Sequence, residues 1–109
     1  MVIATRMLRI MGDDGDVAVP IHIHAPVEDD RSWRCDYEIG WPHSPRRYHS
    51  FGFDAVQALQ LVNFMIGIDL QVSPYHQAGL LIFEDTDPGY GFPAQLPPDI
   101  TRLDEHKAG

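Results

Sequence analysis

Apolar and polar positions alternate through the first half of the chain, then give way to a helical spacing. The clearest stretch is Ser32 to Ile39. There Trp33, Cys35, Tyr37 and Ile39 fall on one side, and Ser32, Arg34, Asp36 and Glu38 on the other. Successive strand side chains face opposite ways, so this pattern marks a half-buried antiparallel strand. Upstream, Val17, Val19, Ile21 and Ile23 share one face, with His22 and His24 on the other. Pro20 cannot donate a ladder hydrogen bond, which predicts that this is an edge strand or an irregular one. Residues 2–10 are apolar and β-branched, with Arg6 and Arg9 interspersed, and predict a first strand. Gly12-Asp13-Asp14-Gly15-Asp16 is the turn that makes the two runs a hairpin. Residues 46–51 predict a weaker fourth strand after a Gly40–Pro45 loop.

A long amphipathic helix follows, from Asp54 to about Gln71. Asp54 is a good N-cap, and Gln57 three positions on completes a capping-box pattern. Val56, Leu59, Val62, Ile66 and Leu70 form a stripe at three- and four-residue spacing. Ser73 precedes Pro74 and is pushed out of the α region, which ends the helix. Such a rod is about 27 Å long and crosses a sheet of four or five strands. Its second half is apolar on more than one face. Leu61, Phe64, Met65 and Ile68 exceed what one sheet face requires and predict a partner or dimer surface, unless the C-terminal tail covers them. Ser73 and Pro74 open a short helical turn, Leu80–Glu84 a buried strand, Asp85–Gly89 a turn, and Tyr90–Phe92 a possible last strand. The order is β-β-β-β-α-β-(β). It predicts an α+β fold, an antiparallel sheet of about five to six strands packed against one long helix.

The 109 residues make one domain, 1–109, in which residues 97–109 are expected to be a flexible tail. Sixteen acidic against eight basic residues give a formal charge of −8. Long-range repulsion from phosphate then disfavours nucleic acid as a partner. An acidic surface favours solubility or a basic protein partner, and a solvated surface with no partner is the commoner case. The single cysteine cannot form an internal disulfide, no signal peptide is visible, and no apolar run approaches the roughly 18–20 residues that span a bilayer. A cytoplasmic protein with no membrane partner is the expectation.

His22 and His24, two apart on one strand face, are the sharpest local sign of chemistry. With Asp36 or Glu38 from the next strand they could ligate a metal. The competing reading is ordinary pairing of histidines with carboxylates on an exposed face. Cys35 alternates with Trp33 and Tyr37 on the inward face and reads as inert core. Trp41, Tyr48, Phe51, Tyr75 and Tyr90 lie near loops and read as caps on the ends of the core, with an exposed binding patch as the alternative. There is no nucleophile elbow, phosphate cradle or calcium loop, so no catalytic residue and no cofactor is assigned.

Four segments resemble a family of small bacterial proteins built on a domain of unknown function, over roughly residues 3 to 95. They are Trp33-Arg34-Cys35-x-Tyr37-x-Ile39-Gly40, Asp54-Ala55-Val56-Gln57-Ala58-Leu59, Met65-Ile66-Gly67 and Gly89-Tyr90-Gly91-Phe92-Pro93. The resemblance implies a stand-alone bacterial cytoplasmic protein and carries no catalytic residues. Three functions are then ranked: a non-enzymatic protein that binds another protein, immunity-like or regulatory; a small metal protein or enzyme on the His22/His24 face; and a structural homodimer. The immunity comparison rests on analogy of size and charge.

Overall fold

A computed structural model describes residues 1–84 and 89–93. The elements are β1 (Val2–Ile10), β2 (Val17–His24), β3 (Val27–Asp29), β4 (Ser32–Ile39), β5 (Arg46–Gly52), α1 (Ala55–Gln71), α2 (Pro74–Gln77) and β6 (Leu81–Ile82). The fold is α+β, a six-stranded antiparallel sheet with one long helix, as the alternation predicted.

Three hairpins lay β1, β2, β4 and β5 side by side, and β6 adds to the free edge of β1. β2 and β3 are two pieces of one arm. Ile23 pairs with Tyr37 and Val27 with Arg34, so four steps on the arm meet three on β4. The extra residue is a bulge at Ala25-Pro26, where a proline costs no ladder bond.

Of the two expectations for Pro20, an edge strand or an irregular one, the edge strand fails. β2 is internal, between β1 and β4, rather than an edge strand. Pairing with β4 begins only at Ile21 opposite Ile39, and Pro20 faces Gly40 just past the end of that ladder. Gly40 N–H donates to the Pro20 carbonyl at 2.8 Å, and a Cβ on Gly40 would strike the proline ring. The missing donor therefore falls where the neighbouring strand has already ended.

The inward faces of Leu8, Ile10, Val19, Ile21, Ile23, Cys35, Tyr37 and Ile39 are buried against Ala58, Val62, Ile66 and Leu70 of α1. The helix begins where the sequence places it. Asp54 accepts from Gln57 N–H at 2.8 Å, and Gln57 Oε1 accepts from Phe53 N–H at 2.6 Å. Its first turn is pressed onto β5. Ser50 Oγ donates to the Ala58 carbonyl at 2.7 Å, and a Cβ on Gly52 would overlap the Ala58 amide. At the far end Ser73 Oγ donates to the Leu70 carbonyl and accepts from His76 N–H, closing α1 and opening α2 at Pro74.

α1 packs chiefly over β5 and β4. The β1 side of the same face is covered by Phe83, Tyr90 and Phe92. Tyr90–Phe92 form a turn and not a sixth strand; the sixth is the short β3. It lies in residues 25–31, a stretch that reads from its polar residues as a loop and is drawn into the sheet by pairing with β4. The predicted Asp85–Gly89 turn lies mostly, and the 97–109 tail wholly, outside the described residues.

Candidate functional site

The outer sheet face carries the residues proposed as metal ligands. The register places His22 opposite Glu38, with Asp36 two residues further along β4. The side chains pair in different directions. His24 Nε2 lies 3.3 Å from Glu38 Oε1, and Arg47 approaches the same oxygen at 3.8 Å. His22 turns toward β1, its Nδ1 3.0 Å from Thr5 Oγ1. Asp36 Oδ1 faces Arg34 Nε at 3.1 Å, an ion pair whose angle makes no hydrogen bond. The structure thus joins His24 to Glu38 and leaves His22 and Asp36 with other partners. Among the described residues no group of three or more His, Cys, Asp or Glu is placed to hold a metal ion.

Cys35 is fully buried, and its Sγ donates to the His24 carbonyl at 3.3 Å. Burial, helped by the neighbouring Asp36 charge, pushes its thiol up to about 11. A thiol held neutral is a poor nucleophile.

The outward face of α1 is the most unusual surface. In its 17 residues the only charged one is Asp69, and that side chain is 15% exposed. Asp69 turns under the helix, where it accepts from the buried Tyr37 hydroxyl and from Arg46 Nε, the latter at 2.7 Å. Burial first, and then the bond to Asp69, raise the Tyr37 pKa; the bond to Asp69 raises that of Arg46. What faces solvent is Leu61, 40% exposed, and Phe64, 37% exposed, among Gln57, Gln60 and Asn63. Val56, which the helical spacing assigns to the inward stripe, joins them and is 64% exposed. With Pro93 these residues line a groove of about 610 Å³. Of the four residues named as a surface, Leu61 and Phe64 are therefore open. Ile68 is half-buried, and Met65 packs partly against the core.

The loop aromatics divide. Trp41 and Tyr90 are buried, and Tyr75 stacks on Trp41 at 5.2 Å with His43 bonded to its hydroxyl at 2.9 Å. Tyr48 and Phe51 remain exposed.

Sequence reasoning gave no role to Arg6. The register places it opposite Ile21, on the inward face. Its guanidinium lies over the rings of Phe83 and Phe92, at 4.7 and 4.8 Å. Its presence at a position in phase with Leu8 and Ile10 was the available signal.

These features define an α+β protein of one long helix on an antiparallel sheet, with an open polar sheet face and an uncharged helix groove. The chain belongs to the family described as a domain of unknown function (DUF6968), which it matches over residues 4–94. No curated protein and no solved structure matches it. Among the described residues, no helix is long and apolar enough to cross a membrane.

Proposed function

We propose that this is a non-enzymatic protein of the bacterial cytoplasm that binds another protein through the outward groove of α1. One observation carries the reading: a full-length surface helix presents no charge to solvent. A helix lying on a sheet ordinarily faces water with charged side chains. Centres of protein interfaces are instead depleted in charge and enriched in aromatic residues and methionine. Leu61 and Phe64 supply apolar anchors, and the glutamines supply a rim of donors and acceptors. The net charge of −8 favours a basic partner, since opposite charge speeds encounter before the apolar groove is engaged. An immunity-like or regulatory role fits this chemistry.

The test uses affinity capture at low salt with three baits: the native chain, a Leu61→Lys/Phe64→Lys pair, and Arg47→Ala on the outer face. A specific protein retained by the native chain and by Arg47→Ala, and lost by the groove pair, is the expected result. Retention by the groove pair would overturn the reading. Light scattering that gave a dimer, dissolved by the same pair, would replace the foreign partner by a second copy.

A further inference from the structure

We propose that the corner between β1, α1 and the Gly89–Pro93 turn is a binding site for a small monocarboxylate with a short branched apolar body, and that Arg6 is its anchor. The inference does not rest on the helix groove, although the two share Asn63.

Arg6 stands at an inward strand position, in register with Ile21 and in phase with Leu8 and Ile10. Charged side chains rarely occupy such positions without a partner of opposite charge. Here the neighbours are neutral. Nη1 donates to the Tyr90 carbonyl at 3.1 Å, and the rings of Phe83 and Phe92 lie against the guanidinium. Among the described residues no carboxylate pairs with it, although acidic residues outnumber basic ones two to one. Arg6 is half-buried, and its remaining N–H donors have no acceptor among the described residues and are open to solvent.

The backbone is shaped around this cation. Tyr90 and Gly91 both have left-handed φ, 56° and 77°. A non-glycine residue in that region is strained, and such strain gathers where function holds the chain in place. A Cβ on Gly91 would stand 2.5 Å from Arg6 Nη1, so a side chain there would push the guanidinium aside. The Tyr90 hydroxyl bonded to His76 Nδ1 fixes the turn from its other side.

Beside the guanidinium is a cavity of about 160 Å³, whose wall is apolar at Ala4, Ile21, Ile23 and Phe92 and polar at Thr5 and Asn63, with Gly91 at the turn. It is smaller than the roughly 300–1,000 Å³ of sites for drug-sized ligands, so its ligand has few atoms. A planar fork of N–H donors matches a carboxylate in bidentate geometry. The isoleucines, alanine and Phe92 ask for an apolar body behind the anion. Inorganic phosphate answers the charge but not this lining.

Isovalerate is the probe, titrated into the full chain and followed by amide NMR shifts. Saturable shifts at Ala4, Ile21 and Gly91 are expected, with a dissociation constant of about 1–10 mM, in keeping with so small a ligand. Neutral isovaleramide and inorganic phosphate should bind at least tenfold more weakly. Arg6→Gln should lose binding to the same extent. Ile23→Phe keeps the cation and fills the cavity; it should also lose binding, and it serves if Arg6→Gln does not fold. Shifts that never saturate, equal binding of the amide or of phosphate, or undiminished binding by a folded variant would each overturn the proposal. In that event Arg6 is only a clamp on the turn.

Discussion

The same face of the sheet is covered in two different ways. Over β4 and β5 the cover is α1, whose Ala58, Val62, Ile66 and Leu70 repeat at helical spacing. Over β1 it is an irregular corner, where Phe83, Tyr90 and Phe92 close on Arg6. The first is held by apolar area removed from water, which is non-directional and tolerates swaps of similar volume. The second is held by the geometry of one cation against ring faces, a carbonyl and a left-handed backbone. Stability should therefore reside under the helix, and specificity of position at the corner.

The sharpest way to break this contrast is Ile66→Ala. It should cost about 2–5 kcal/mol, read as a lower urea midpoint with an unchanged slope. Next is Gly52→Ala, which forces the first turn of α1 off β5. A loss of about 1–3 kcal/mol and weaker amide protection at Ala58 are expected.

The dryness of the helix-covered half has its own signature. The Cys35 pKa is raised from its ordinary 9.0 to about 11. A raised folded value means stability that is whole below pH 9 and is lost as the pH climbs through 11. Unfolding midpoints measured across that window should fall for the native chain and fall less steeply for Cys35→Ala. A slope unchanged by the substitution would show that the thiol is not in a dry site.

Arg6→Leu should cost less, about 0.5–2 kcal/mol, the range of a desolvated cation–π contact, and should disturb the amides of the Gly89–Pro93 turn first. A loss exceeding that of Ile66→Ala would invert the comparison. The smallest effect belongs to Phe64→Ser on the outward helix face. Stability should stay within about 0.5 kcal/mol while partner capture falls.

Legibility followed periodicity. The strand from Ser32 to Ile39 and the Asp54/Gln57 start of α1 were readable because their spacing or capping chemistry is local. Leu61 and Phe64 were readable as excess apolar residues, since a helix on one sheet face needs one stripe. Pro20 misled only as to the edge, because its rule holds for a proline flanked by strands on both sides, and β4 stops one residue short of it. His22 and Asp36 were rightly placed on one face, but strand parity says nothing about which neighbour a side chain chooses. Their partners, Thr5 and Arg34, were fixed by packing.

The sequence by itself determined the four long strands, the long helix and their order, because alternation, helical spacing and caps act within a few residues. The short β3, in a stretch that reads as a polar loop, and the exposure of Val56 were not legible in it. Only the tertiary structure decided that β2 is internal, that Asp69 turns beneath α1 to Tyr37 and Arg46, and that Arg6 meets Tyr90 across 84 positions of chain. Those contacts join residues far apart in sequence, and they form only once the sheet and helix have fixed the distances between them.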